Sequence, residues 1–89
     1  MNQTTAILEI QQKGELLILK PVLGIHDLDE MEIEEAVDEL LDHMDHSGIM
    51  DVFLGLHGTD VLRSEAPRLA VELWERVRNH GGSMAIGLI

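Results

Sequence analysis

The chain has 89 residues, no cysteine and a formal net charge of −11 at pH 7. This length predicts one domain, and the lack of cysteine excludes a disulfide framework, thiol catalysis and thiolate metal sites. The strong negative charge argues against nucleic acid and anionic membrane surfaces as partners. No apolar run approaches the roughly 20 residues that span a bilayer, and the first residues do not resemble a signal peptide. We therefore expect a cytoplasmic protein without direct membrane insertion.

The charge is unevenly distributed along the chain. Residues 21–62 contain no Lys or Arg but many acidic residues, whereas Arg63, Arg68, Arg76 and Arg78 follow this segment. The acidic helix predicted at residues 29–45 is either a solvated face or a docking surface for a basic partner. The sequence leaves both interpretations open.

Two short apolar segments open the chain and predict a β-hairpin. They are residues 6–10 and 15–20, and Lys13-Gly14 supplies the turn between them. Pro21 and Gly24 then end the second strand.

The clearest helix follows, between Asp29 and Gly48. Asp29 is the expected N-cap, Glu32 suits a capping box, and Gly48 is the expected stop. The apolar stripe of this helix comprises Ile33, Ala36, Val37, Leu40, Leu41 and Met44.

A strand, a second helix and a last strand complete the pattern. Residues 49–56 form a nearly continuous apolar run, typical of a strand buried on both faces, and residues 83–89 form the last strand. Between them, Ser64 is the expected N-cap of a helix that ends at Gly81-Gly82. Its expected apolar stripe comprises Ala66, Leu69, Ala70, Leu73, Trp74 and Val77.

The element order β-β-α-β-α-β predicts one α/β domain over residues 1–89. Strand–helix–strand units with right-handed crossovers imply a mixed sheet with the helices packed mainly on one face. The opposite face of the sheet then lacks a cover.

The residues that could carry chemistry lie in two clusters. The residue types of a catalytic triad occur together in His57, Asp60 and Ser64. A nucleophile elbow has a glycine two residues before and two residues after the serine, and Ser64 has neither. We therefore predict no catalytic residues. Two histidines in "DHMDH", His43 and His46, have helical spacing, but a zinc site needs ligands from another element. A polar helix end is the simpler interpretation, and we predict neither a metal nor a cofactor.

Ser64 supports two interpretations. As an N-cap it stabilises the second helix by about 1 kcal/mol. As a phosphoacceptor it would place up to about two negative charges at a helix N-terminus, where Arg63 and Arg68 favour them and Glu65 opposes them.

Nearly the whole chain resembles the STAS domain, the sulfate-transporter and anti-sigma-factor-antagonist family. The resemblance is carried by the order of elements, from "GELLILKPVLGIHDLDEMEIEEAVDELL" through "DVFLGLHGTDVLRSEAPRLAVELWERVRNHGGSMAIGLI". It implies a mixed sheet with helices mainly on one side and a non-catalytic role. By position, Ser64 corresponds to the serine that a partner kinase phosphorylates in bacterial anti-sigma-factor antagonists.

The chain departs from the family's Asp-Ser-Ser-Gly motif. Arg63 replaces the Asp, whereas Glu65 and Ala66 replace the second Ser and the Gly. The first hypothesis is therefore a protein-interaction domain, an anti-sigma-factor antagonist in partner-switching transcription regulation, with phosphorylation at Ser64. The alternative is an accessory subunit of a membrane transporter that docks on a cytoplasmic ATPase without being phosphorylated. The resemblance also leaves room for a homodimer. The candidate partner-binding residues are His57, Gly58, Thr59, Asp60, Arg63, Glu65 and Arg68.

Overall fold

The computed structural model describes residues 2–4, 8–21, 30–56 and 66–88. The strands are β1 (Asn2–Thr4), β2 (Leu8–Lys13), β3 (Leu16–Pro21), β4 (Asp51–Leu56) and β5 (Ser83–Leu88). The helices are α1 (Glu30–Ser47) and α2 (Ala66–Asn79). This arrangement confirms the predicted α/β class and element order and adds the short strand β1, which the sequence interpretation missed.

The five strands form one mixed sheet in the order β1-β2-β3-β4-β5. The first three are antiparallel, and β3, β4 and β5 run parallel, with Leu17 opposite Val52 and Val52 opposite Met84. Gly14, at φ +62°, makes the turn between β2 and β3 at the predicted position. Because α1 packs beside α2 and both contribute to a single core, the two helices cover the same face of the sheet, as predicted.

The core lies between that face and the helices. In β2 and β3 buried residues alternate with half-buried ones, so each strand presents one side to the helices. Each fully buried aliphatic side chain contributes roughly 1.5–3 kcal/mol. The largest fully buried side chains are Leu8, Ile10, Leu17, Leu19, Val37, Leu40, Met44, Leu54, Leu69, Leu73 and Val77.

The opposite face of the sheet is only partly covered. Phe53 is half-buried there, although we expected its strand to be buried on both sides. The Phe53 ring occupies the place that a side chain at position 87 would need. A Cβ added to Gly87 would lie 2.8 Å from Cζ of Phe53. The glycine in β5 therefore lets the aromatic ring lie flat against the sheet.

Both helices end as predicted at glycines. Gly48 has φ +74° and donates its N–H to the Met44 carbonyl at 2.8 Å, and Gly81 has φ +90°. After α2, the N–H of Gly82 bonds to the Val77 carbonyl at 2.9 Å and that of Gly81 to the Arg78 carbonyl at 3.1 Å, the pattern of a Schellman motif. The expected N-caps, Asp29 and Ser64, lie outside the described residues.

Two predictions about the helix faces are wrong. Trp74, assigned to the apolar stripe of α2, is 39% exposed, and the Arg78 guanidinium lies 5.0 Å from its ring centroid. His43, treated as part of a polar helix end, is buried at 9% exposure. A Trp at the margin of an apolar stripe can stack on a cation instead of entering the core. His43 follows the buried residues Ala36 and Leu40 by seven and three positions, so it lies on the buried face of α1.

Candidate functional site

The parallel strands place the candidate site at one edge of the molecule. Because β3 and β4 are parallel, their carboxyl ends at Pro21 and Leu56 lie on the same edge of the sheet. Each helix returns from that edge, so Glu30 and Ala66, the first described residues of α1 and α2, lie near it as well. In open α/β sheets this edge is the usual binding side.

Arg68 is the only predicted site residue that the structure describes. His57, Gly58, Thr59, Asp60, Arg63, Ser64 and Glu65 belong to residues 57–65, which lie outside the described residues. The triad, phosphoacceptor and partner-binding interpretations of this segment therefore stay predictions. Arg68 lies in the first turn of α2, about half exposed, with its Nη2 3.8 Å from Oε1 of Glu30.

Arg68 lines a groove between the amino-terminal parts of the two helices. Glu30, Ile33 and Glu34 form the α1 side, and Glu72 joins Arg68 on the α2 side, around a volume of about 190 Å³. We call this feature the helix groove. Its rim has three carboxylates and one guanidinium, and the guanidinium of Arg76 beside it pairs with one of these carboxylates, so the groove keeps a small excess of negative charge that suits a cationic group. Sequence reasoning anticipated an acidic α1 but missed Glu72, which enters the site only because α2 packs beside α1.

An ion pair fixes the distance between the helices next to the helix groove. Arg76 donates from Nη1 to Oε1 of Glu34 at 2.9 Å and from Nη2 to Oε2 at 3.3 Å, a bidentate arrangement. These hydrogen bonds, ahead of the nearby carboxylate charges, raise the pKa of Arg76 above its ordinary value, against the opposing effect of desolvation. The guanidinium therefore keeps its charge at any physiological pH, and Glu34 keeps its position at the wall of the groove.

The opposite ends of the helices are joined by a second polar contact. His80 Nε2 lies 2.7 Å from Oδ1 of Asp45. Near it, Ser47 donates its hydroxyl hydrogen to the His43 carbonyl at 2.8 Å and accepts the Ile49 N–H at 3.2 Å, which closes the end of α1. The interhelical contacts of Arg68, Arg76 and His80 join α1 and α2 along their length.

The two histidines of the "DHMDH" segment differ in burial. His43 is buried while His46 is exposed, and Nδ1 of His46 lies 2.8 Å from the Asp42 carbonyl oxygen. Within residues 30–56 and the other described ranges, no three His, Asp or Glu side chains are grouped so as to hold a metal ion. The two histidines of the segment thus face different surroundings.

No described helix is both long enough and apolar enough to cross a membrane. A comparison of the chain with protein-family models, curated proteins and solved structures found no match.

Proposed function

We propose that this chain is a non-catalytic, STAS-like protein-interaction domain of the cytoplasm that docks on a protein partner at the carboxyl edge of its sheet. The proposed docking surface combines the helix groove with residues 57–65. The observation that carries the proposal is the position of Arg68: this residue, selected from the sequence as a partner contact, lines an acidic groove on the described part of that edge.

The fold supports the same proposal. A mixed sheet with two helices on one face is the arrangement that the resemblance implies, and the carboxyl ends of β3 and β4 lie on the same edge of that sheet. The helix groove is small, which suits one or two side chains of a protein better than a large substrate.

The chemistry of the helix groove indicates the kind of partner. Three carboxylates of the groove face the two guanidiniums of Arg68 and Arg76, and the remaining excess of negative charge suits a Lys or Arg side chain of the partner. Within the proposal the partner is an anti-sigma factor with kinase activity, and phosphorylation of Ser64 would add negative charge next to this surface and alter docking. Arg63 and Glu65, in place of the family's residues, favour the alternative partner, a transporter ATPase bound without phosphorylation.

A cross-linking pull-down from the native cell tests the docking surface. Three baits are compared: the wild-type chain, the Glu72→Lys variant and the Glu35→Lys variant. Glu35→Lys makes the same charge change as Glu72→Lys, but on an exposed residue of α1 outside the groove. We expect Glu72→Lys to lower recovery of the partner at least tenfold and Glu35→Lys to leave it nearly unchanged. Equal losses for both variants would contradict docking in the groove.

Intact-mass measurement tests the proposed regulation. The chain is incubated with the recovered partner and ATP, alongside Ser64→Ala. One added phosphate on the wild type and none on Ser64→Ala supports the switch, whereas an unmodified wild type leaves the docking proposal in place and favours the transporter alternative.

A further inference from the structure

β5 is an edge strand of the sheet that the described residues form. Among the described residues, β5 has β4 as its only sheet neighbour. Its six residues, "SMAIGL", include neither a charged residue nor a proline. Exposed edge strands of soluble proteins usually carry such residues, because free N–H and C=O groups otherwise pair with another strand.

An apolar flank of α2 borders this edge. Pro67, Val71 and Trp74 recur at helical spacing, with Val71 57% exposed and Trp74 39% exposed. The other flank of α2 faces α1 through Arg76, and α2 lies against β5 and β4. Its apolar flank therefore extends past the edge of the sheet, where Ile86 of β5 is itself 48% exposed. We call the combined area the β5 surface.

Charge distinguishes the β5 surface from the rest of the molecule. The outer side of α1 exposes Glu35, Asp38 and Asp42, which would repel a second acidic chain. On the β5 surface, β5 contributes no charge, and the guanidinium of Arg78 lies over the Trp74 ring. Two copies of a chain with net charge −11 therefore repel each other less at the β5 surface than at the outer side of α1.

The strand is also complementary to itself. Met84 and Ile86 point to the helix side, while Ser83, Ala85 and Gly87 point to the other side. A two-fold axis at Ala85 or Ile86 pairs even-numbered residues with even-numbered ones and odd-numbered residues with odd-numbered ones. Apolar side chains therefore meet apolar ones, and small residues meet small ones. The same axis brings the apolar flanks of the two α2 helices together above the joined sheets.

We propose that a second copy of this chain binds at the β5 surface, with the β5 strands paired antiparallel about a two-fold axis. The two five-stranded sheets become one continuous sheet. This surface and the helix groove lie on opposite flanks of α2, so dimer formation and partner docking are independent.

Sedimentation equilibrium over a wide concentration range tests the proposal. We expect the wild type to show a reversible monomer–dimer equilibrium and Ile86→Lys to raise the dissociation constant on the order of a hundredfold, because it places a charge at the strand pair. Met31→Lys, a matched change at a 72% exposed apolar residue of α1, should leave the constant unchanged.

The salt dependence gives a second criterion. Two acidic chains repel, so added salt should strengthen the dimer. A wild type that stays monomeric, a dimer that Ile86→Lys does not weaken, or a dimer that dissociates as salt rises would each overturn the proposal. Circular dichroism checks that Ile86→Lys is folded, and if it is not, Val71→Lys on the α2 flank is judged by the same criteria.

Discussion

Gly82, between α2 and β5, offers a test of how tightly the end of the helix is packed. A Cβ at this position would lie 2.6 Å from the Met50 carbonyl oxygen, 2.8 Å from the Met44 Cε and 3.1 Å from the Val77 Cγ1. The first contact involves backbone, so it cannot be relieved by turning a side chain. Gly82→Ala must therefore move the start of β5 away from the residues that precede β4.

The cost of that movement has two parts. Overpacking of this kind costs about 1–3 kcal/mol. The Met50 carbonyl also accepts the Ser83 N–H at 3.0 Å, and weakening this hydrogen bond adds roughly 0.5–1.5 kcal/mol. We expect a loss of about 2–4 kcal/mol, which corresponds to a fall in Tm of roughly 8–32 °C for a domain of this size.

Thermal unfolding followed by circular dichroism measures this loss, with Gly48→Ala as the matched control. Gly48 has φ +74° and open space around its missing Cβ, so alanine there costs only the backbone strain of about 1–2 kcal/mol. The steric argument is refuted if Gly82→Ala lowers Tm less than Gly48→Ala does.

Three further predictions concern the sheet, the interhelical ion pair and the core. Gly87→Ala should lower the free energy of unfolding of the wild type by about 1 kcal/mol, because the new Cβ would contact the Phe53 ring, but it should have almost no effect in a Phe53→Ala background. Urea unfolding of the two single variants and the double variant, as a double-mutant cycle, measures the difference. Glu34→Gln should cost about 0.2–1 kcal/mol at low salt, since the pair with Arg76 is partly exposed, and less at high salt; an unchanged cost at high salt would contradict the ion-pair explanation. Leu73→Ala, at a fully buried residue, should cost about 2–5 kcal/mol in the same measurement, and a cost below 1 kcal/mol would show that the site collapses around the cavity.

Sequence patterns predicted most of the fold because the signals for helix faces, turns and helix ends come from residues that are close together in the sequence. The 3.6-residue stripe that includes Val37 and Leu40 determines which side of α1 is buried, and the glycines at 14, 48 and 81 adopt positive φ where a turn or helix end requires it. The strand β1 escaped prediction because a three-residue strand has no periodicity of its own. It is defined only by its pairing with β2.

The candidate site was less predictable because it depends on how the elements pack. Arg68 and Glu72 are four residues apart on α2, but their relation to Glu30 exists only once α1 lies alongside. Trp74 shows the same limit: helical spacing groups it with the buried residues Ala70 and Val77, yet the edge position of α2 leaves its outer flank beside solvent. Sequence periodicity identifies a face of a helix, whereas the neighbouring elements decide what covers it.

The sequential strand order also determines how the chain can fold. Every strand pairs with the strand next to it in the sequence, so each pairing step extends a sheet that already exists. The β2–β3 hairpin closes the shortest loop and requires the least loss of chain entropy, whereas β4 and β5 join only after α1 and α2 have shortened the distance to them. On this argument we expect β5 to join the sheet last, and a second chain that pairs with β5 would then stabilise the part of the sheet that forms latest.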